Sequence, residues 1–189
     1  MAQYQHTLVI GGTGMLAGAT RELAGRSEIL TAVARTTRSL RALVDSVAAT
    51  DCVLHEVALD WSDREAFLSG LADRIERTGP PSLVLAWLHR DDLGPEIARA
   101  VGAEGTACAF FQVRGSAAAN PAAPASSLSD DPRIPANVNH HEVILGFRLE
   151  GSGSRWLTHE EISGGVLEAI AEARPRRIIG TVTPWERRP

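Results

Sequence analysis

Hydrophobic residues recur along this chain in short runs that are separated by segments of helical spacing. The runs have the length of β-strands, and the segments between them repeat apolar residues every three or four positions, as an amphipathic helix does. The run 82–88 is almost continuously apolar, which is typical of a strand covered on both faces. The pattern predicts strands at residues 7–11, 28–34, 52–59, 82–88, 106–113, 142–150 and 177–182, and helices at 15–26, 38–48, 62–78, 95–101 and 158–173.

Alternating strands and helices predict a parallel sheet with right-handed crossovers. We therefore expect an α/β fold with a doubly wound, Rossmann-type parallel sheet of six or seven strands, in a single domain that spans residues 1–189. In such a sheet, ligands bind in the crevice at the carboxyl ends of the strands. Residues 116–139 interrupt the pattern because they are rich in Ala, Pro and Ser without periodicity, so we predict a flexible loop or lid there.

Two helices carry start signals in the sequence. Ser62 is expected to be a helix N-cap, with Glu65 three residues later as its capping-box partner. Thr158 and Glu161 predict a second capping box, and the preceding Leu157 occupies the hydrophobic-staple position opposite Ile162. Core packing is the favoured interpretation for Trp156, and contact with a ligand or a partner subunit is the alternative.

Net charge, hydropathy and cysteine usage argue against several kinds of binding partner. A net charge of −4 argues against binding to nucleic acid or to an anionic membrane surface. No apolar run approaches the ~18 residues that a membrane span requires, so we expect a cytoplasmic protein. Cys52 and Cys108 fall in apolar runs and are expected to be core residues of a reducing compartment, not a disulfide or a metal pair.

A glycine cluster between the first strand and the first helix predicts a phosphate site. Gly12, Gly14 and Ala17 fit the G-x-G-x-x-G/A spacing, and Gly11 precedes them. Glycines permit a tight turn and a close approach of the backbone to a pyrophosphate, while the helix N-terminus supplies N–H groups and positive partial charge. A strand before the motif and a helix after it favour dinucleotide binding over a turn that merely packs tightly.

The end of the second strand favours NADP over NAD. An acidic residue there would accept a hydrogen bond from the ribose 2′-hydroxyl of NAD, whereas this chain has Arg35, Thr36 and Arg38, which suit a 2′-phosphate. Arg38 could instead only solvate the helix face. After the third strand, Asp60 either accepts from the adenine amino group or caps the next helix, and Trp61 could cover the adenine ring.

These residues resemble the cofactor half of the short-chain dehydrogenase/reductase superfamily over residues 7–116. The match comprises the turn 11–17, Arg35 and the segment 59–61, and it is similar in particular to short bacterial members with a Gly-Gly-Thr-Gly-Met-Leu turn and Ala-Trp-x-His after the fourth strand. The resemblance implies a Rossmann fold, an NADP(H) cofactor and often a homo-oligomer, here a homodimer or homotetramer. The cofactor-binding candidates are Gly11, Thr13, Gly14, Met15, Leu16, Arg35, Thr36, Arg38, Asp60, Trp61 and Trp87.

Most of the catalytic half of that superfamily has no counterpart here. All 19 positive side chains are arginine, and the single tyrosine is Tyr4, ahead of the first predicted strand. The Tyr-x-x-x-Lys motif that the resemblance would require is therefore missing, and residues 86–89 replace the usual Asn-Ala-Gly element. Ser116, after the fifth strand, does match the position of the catalytic serine.

A reductase without that motif needs another proton donor. Topology places His89 and Ser116 at carboxyl ends of strands, so His89 is a candidate acid and Ser116 a candidate hydrogen-bond donor to substrate. His140 and His141, expected just before the sixth strand, could approach the nicotinamide or anchor the loop. No standard metal-ligand spacing occurs, so no metal is predicted.

Two functions therefore remain open on sequence alone. The favoured one is an NADP(H)-dependent oxidoreductase that reduces a small carbonyl or imine substrate with a non-standard proton donor. The alternative is a catalytically silent NADP(H)-binding sensor or regulatory module. A sugar-nucleotide epimerase is less favoured, because it normally needs the same missing Tyr and Lys.

Overall fold

The elements alternate as the sequence predicts in the computed structural model, which describes residues 2–47, 50–122 and 131–189. The last residue of the helix predicted at 38–48 and residues 123–130 of the predicted loop lie outside the described residues. The strands are Tyr4–Ile10 (β1), Ser27–Ala34 (β2), Val53–Ala58 (β3), Leu83–Trp87 (β4), Cys108–Gly115 (β5), Val138–Leu145 (β6), Phe147–Glu150 (β7), Gly153–Trp156 (β8) and Arg176–Ile179 (β9). The helices are Ala17–Ala24 (α1), Thr37–Val47 (α2), Arg64–Thr78 (α3), Gly94–Val101 (α4) and His159–Glu172 (α5).

Seven strands form one parallel sheet in the order β3-β2-β1-β4-β5-β6-β9. The chain runs outward from β1 in one direction through β2 and β3, then returns and runs outward in the other through β4, β5 and β6. This reversal between β1 and β4 opens a crevice at the carboxyl ends of both strands. The predicted doubly wound, single-domain α/β fold is therefore confirmed.

Helices cover both faces of the sheet. One face packs on α1, α2 and α5 and buries Leu85 and Phe111, and the other packs on α3 and α4 and buries Phe67 and Phe110. Because strand side chains alternate between faces, the neighbouring residues Phe110 and Phe111 contribute to opposite cores. No helix among the described residues is long and apolar enough to cross a membrane.

The strand predicted at 142–150 is wrong in extent, because it is two elements. Strand β6 ends at Leu145, and after Gly146 the chain leaves the sheet to form β7, which pairs antiparallel with β8. A Cβ added to Gly146 would lie 2.2 Å from the Thr181 carbonyl oxygen, so the backbones pass too closely for a side chain. The last strand spans Arg176–Ile179 instead of residues 177–182, and Tyr4 lies inside β1.

The expected Ser62 cap is wrong by one residue. Asp63 is the N-cap of α3: its backbone is extended and its carboxylate accepts a hydrogen bond from Ala66 N at 3.1 Å. The Asp60 carboxylate accepts from Ser62 N at 2.9 Å, so Ser62 belongs to a turn before the helix. Aspartate and serine are equally good N-cap residues, so residue type does not distinguish Asp63 from Ser62. The prediction relied only on the three-residue spacing between Ser62 and Glu65, and this spacing gave the wrong position.

The other predicted capping box is confirmed. The Thr158 hydroxyl accepts from Glu161 N, and the Glu161 carboxylate accepts from Thr158 N at 2.9 Å. Leu157 and Ile162 are both buried in the same core cluster, as the staple requires. Core packing for Trp156 is wrong, because this side chain is 46% exposed at the end of the β7–β8 hairpin.

The two adjacent histidines and the two cysteines differ in part from their predicted positions. His140 and His141 do not precede the sixth strand but lie inside it, and both are buried. Cys108 is buried, and burial raises the pKa of its thiol to about 12. Cys52 lies just before β3, where it is half-buried and packs against the hydrophobic core, whereas Cys108 is fully part of a core.

Candidate functional site

The turn between β1 and α1 has a conformation that requires glycine. Gly11 has a φ of +76°, and a Cβ added there would lie 2.1 Å from the Trp87 carbonyl oxygen. Strands β1 and β4 thus meet at this glycine without room for a side chain. Gly12 is equally enclosed, since its added Cβ would lie 2.5 Å from Thr20 Oγ1.

Gly14, by contrast, faces open space. A Cβ added to Gly14 would have no atom within 4 Å among the described residues. No described residue accepts a hydrogen bond from the amides of Thr13, Gly14 or Met15, and no side chain caps α1. Amides left without acceptors at a helix N-terminus form an anion site. The turn therefore fits a pyrophosphate over Gly14.

Two hydroxyls that the sequence analysis did not single out brace this turn. The buried Thr20 hydroxyl lies 3.0 Å from the Gly12 carbonyl oxygen and 2.9 Å from that of Leu16. Ser163 of α5 donates to the Met15 carbonyl oxygen at 3.0 Å. The turn is thus fastened from its own helix and from a helix about 150 residues later in the chain, which no local motif indicates.

A cavity of about 270 Å³, here named the basic cavity, lies on the β2 side of the turn. Arg35 lies at its wall with its guanidinium carbon 5.3 Å from the centre of the Trp61 ring. A guanidinium over an aromatic face is held flat, with its N–H groups available in the ring plane. The cavity is lined by Gly11, Thr13, Ala34, Arg35, Thr36, Ser39, Trp61, Trp87 and His89.

Arg35 is exposed, lines the cavity and forms no direct ion pair with a described residue, although its charge acts on the nearby Asp60 carboxylate. Thr36 and Ser39 add two hydroxyls, whose oxygens are 2.9 Å apart, and Ser39 was not predicted. Arg38 is exposed and does not line this cavity. Hydrogen bonds from Ser62 and the nearby Arg35 charge lower the pKa of Asp60, which keeps that carboxylate ionised outside the cavity.

A second cavity of about 280 Å³, here named the apolar cavity, lies on the β5 and β6 side of the turn. Trp87 lines both cavities, and its Cη2 atom would lie 3.9 Å from a Cβ added to Gly115. The indole therefore separates the two spaces. The apolar cavity is lined by Met15, Trp87, Gly115, Ser116, Ala117, Leu145, Gly146, Trp156, Leu157, Ile162 and Arg188.

The two catalytic candidates are not brought together. Ser116 lines the apolar cavity. His89 lines the basic cavity together with Arg35, and its ring meets the Trp87 ring edge-on at 5.3 Å. Among the cofactor candidates, Leu16 lies in the core with its side chain fully buried, and Met15 lines the apolar cavity.

The histidine pair of β6 lies away from both cavities. His140 Nε2 is 3.1 Å from Gln112 Oε1, and its Nδ1 has no partner among the described residues. His141 stacks on Phe111 and its Nδ1 is 2.9 Å from the Arg174 carbonyl oxygen. The described residues contain no cluster of three or more His, Cys, Asp or Glu side chains that could hold a metal ion.

A buried ion pair supports the strands next to the site. Arg114 of β5 donates to Glu142 of β6 at 2.7 Å and to Asp91 at 3.0 Å, and Glu142 is 1% exposed. None of the three residues lines either cavity. The pair therefore joins β5 and β6 to the segment after β4 and acts on the site only through these strands.

A third, larger cavity of about 700 Å³ lies at the opposite edge of the sheet. Its described lining includes Glu28 and Asp51 and no positive side chain. Two carboxylates without a cation repel a phosphate. This cavity also lies away from the glycine turn, so it is not the dinucleotide site.

Comparison with solved structures finds this fold in dehydrogenases. The bulky-bulky ketone specific alcohol dehydrogenase from Comamonas testosteroni superposes with a TM-score of 0.72 at 12% identity, over 98% of this chain and 90% of that one. A short-chain dehydrogenase from Sphingobium yanoikuyae in complex with NADPH has a TM-score of 0.69 at 14% identity, over 96% and 91% of the two chains. Carveol dehydrogenase from Mycobacterium avium in complex with NAD has a TM-score of 0.63 at 13% identity, over 94% and 97%.

Neither a protein-family profile nor a curated protein sequence matches the chain. Several structural neighbours are nevertheless named as short-chain dehydrogenases, and the matches cover nearly the whole chain. The expected likeness to this superfamily is thus confirmed at the level of structure. The chain has the Rossmann fold of the short-chain dehydrogenase/reductases.

Proposed function

We propose that this protein is an NADP(H)-dependent oxidoreductase that reduces a small carbonyl or imine compound. The observation that carries the cofactor choice is Arg35 at the wall of the basic cavity, whose described lining includes no acidic side chain. It lies at the end of β2, where a carboxylate would favour NAD and an arginine favours the 2′-phosphate of NADP. One structural neighbour is in complex with NADPH and another with NAD, so the neighbours support a nicotinamide cofactor and the choice of NADP rests on Arg35.

The residues present fit NADP(H) along the whole crevice. The basic cavity would hold the adenosine with its 2′-phosphate on Arg35 and its base beside Trp61. Gly14 and the α1 N-terminus would hold the pyrophosphate, and Met15 leads into the apolar cavity, which would hold the nicotinamide. When bound, NADPH supplies a hydride to an electrophilic carbon.

Ser116 is the residue that we propose for contact with the reacting group. Ser116 lines the apolar cavity, and its hydroxyl would donate a hydrogen bond to the carbonyl oxygen or imine nitrogen, where negative charge develops. Trp87 separates His89 from that cavity. We therefore propose that His89 contacts the adenosine end, and that the product proton comes from water through Ser116.

One observation favours the second candidate, a silent NADP(H)-binding module. No His, Asp, Glu, Tyr or Lys side chain is among the described residues that line the apolar cavity.

Turnover distinguishes the two functions: NADPH consumption by a panel of aldehydes, ketones and imines supports the enzyme, and Ser116→Ala should slow it much more than His89→Ala. Tight NADPH binding without any consumption would favour the silent module.

Arg35→Ala tests the cofactor assignment. The variant should lose about ten- to a hundredfold in affinity for NADPH and little for NADH, because a charge-assisted contact contributes roughly 1.5–3 kcal/mol. Isothermal titration of both cofactors measures this preference. Arg38→Ala is the matched control and should keep it, since Arg38 lies outside the basic cavity. Equal losses for NADPH and NADH would contradict the 2′-phosphate assignment.

A further inference from the structure

The apolar cavity contains one charged residue among its described lining, Arg188. No acidic side chain of the described residues lines this cavity, and Arg188 forms no ion pair with any of them. Apart from Ser116, the other lining residues are apolar, aromatic or glycine. A single unpaired cation in such surroundings favours a negatively charged group in the same space.

Arg188 is held in place by aromatic rings. Its guanidinium carbon lies 5.3 Å from the centre of the Trp156 ring and 5.2 Å from that of Trp185. A planar guanidinium on aromatic faces loses less freedom when it binds an anion than a solvated side chain would, and it can engage a carboxylate with two parallel hydrogen bonds.

The segment that carries Arg188 is fastened to the β7–β8 hairpin. Arg187 donates to the carbonyl oxygens of Gly151 at 2.9 Å and Gly153 at 2.7 Å, and the Ser154 hydroxyl donates to the Arg187 carbonyl. The backbone of Arg188 also donates to the Trp185 carbonyl oxygen at 3.1 Å. These bonds hold Arg188 at the cavity wall before any ligand binds.

We propose that the substrate of this cavity is a small organic acid whose carboxylate binds Arg188. Its apolar part would lie against Trp87 and Trp156, and its carbonyl or imine group would lie near Ser116. The cavity volume of about 280 Å³ is just below the ~300–1,000 Å³ of pockets for drug-sized ligands, and the nicotinamide would take part of it, so the acid is small. The reactive-group placement rests on the proposed function, whereas the anion preference depends only on Arg188.

Titration of the full chain with benzoylformate and with its neutral methyl ester tests the anion preference. Isothermal titration is done with the protein saturated in NADP⁺, so that no turnover occurs, and again without cofactor. The wild type should bind the acid at least about tenfold more tightly than the ester, as a charge-assisted contact implies. Arg188→Ala should remove this preference and Arg188→Lys should keep part of it. Arg41→Ala, which removes an exposed charge on α2, should leave it unchanged.

Three results would overturn the proposal. The wild type could show no preference for the acid, Arg188→Ala could retain the preference, or Arg188→Ala could weaken NADP⁺ binding instead, which would assign Arg188 to the cofactor. Failure of the proposed function looks different: NADP⁺ would not bind, while the preference measured without cofactor would persist and still depend on Arg188.

Discussion

Gly11 and Gly14 differ in what they contribute, although they belong to the same turn. Gly11 is required by the protein itself, because its positive φ and its contact with the Trp87 carbonyl leave no room for a side chain. Gly14 has ordinary backbone angles and open space around its Cα. A substitution at each position should therefore change a different property.

We expect Gly11→Ala to lower the free energy of unfolding by more than about 2 kcal/mol, since strained backbone alone costs about 1–3 kcal/mol. Gly14→Ala should change stability by less than ~0.5 kcal/mol and weaken NADPH binding by roughly tenfold or more, because its methyl group fills the space over the amides. Urea unfolding and NADPH titration measure the two effects. Normal NADPH affinity in the Gly14 variant would exclude a pyrophosphate at this place.

At the residue scale, the sequence could predict the location of site residues that directly follow the end of a strand. Arg35 follows β2 directly, so topology alone brings it to the crevice. Thr20, Ser163 and Arg188 could not be found in this way, because their partners come from the folded arrangement of α1, α5 and the last residues. Their types are common, and no spacing marks them.

Helix α3 shows how a helix start is decided between neighbouring polar residues. Asp63 has the extended backbone and the hydrogen bond of an N-cap, while Ser62 lies in the preceding turn with its amide bound to Asp60. An acidic cap also interacts favourably with the positive end of the helix dipole. We therefore expect Asp63, and not Ser62, to provide the stabilisation that an N-cap gives to the helix.

Asp63→Ala should lower the free energy of unfolding by about 1 kcal/mol, which is typical of a lost N-cap. Ser62→Ala is the matched control and should cost less than ~0.5 kcal/mol. Denaturant unfolding of the two variants at neutral pH makes the comparison. A larger cost for Ser62→Ala than for Asp63→Ala would reverse the assignment.

At the element scale, the strands β1 to β5 and their helices could be predicted because each has its own periodicity. The break after β6 could not, since Leu145 and Phe147 are both buried and the intervening glycine interrupts no pattern. What ends β6 is the close approach of the Thr181 backbone to Gly146, a contact between segments far apart in sequence. The β7–β8 hairpin was missed for the same reason.

At the scale of the whole molecule, the buried histidine His140 makes the free energy of unfolding depend on pH. His140 is buried, and this burial, together with the charges of His141 and Arg114, lowers its pKa to about 4, while Asp131 acts in the opposite direction. Burial also lowers the pKa of His6. Both histidines stay neutral in the folded state at pH values where they are protonated in the unfolded chain.

Stability should therefore decrease as the pH falls from about 6.5 towards 4. The unfolded state binds more protons in this window, so His140 alone should cost on the order of 1–2 kcal/mol between pH 7 and pH 5. Urea unfolding at the two pH values measures the difference. His140→Gln should reduce this difference, and His159→Gln, on the surface of α5, should not. The same difference in all three proteins would show that His140 does not cause it.

At the scale of the molecule, the order of elements was enough to predict the seven-stranded doubly wound sheet and the edge at which the site lies. Charge and hydropathy did not predict that the crevice is divided in two. That division depends on the Trp87 ring, which reaches across the carboxyl ends of neighbouring strands. His89 and Ser116 lie in different cavities because the Trp87 ring stands between them, and no feature of the sequence pattern indicates this.

The same division gives the protein optical probes of its own. Of the four tryptophans, Trp61 lines the basic cavity, Trp156 lines the apolar cavity and Trp87 lines both, and none belongs to the buried core. Intrinsic fluorescence should therefore respond to whatever enters the crevice. Replacing Trp61 or Trp156 by Phe would then separate the optical signals of the two halves of the crevice.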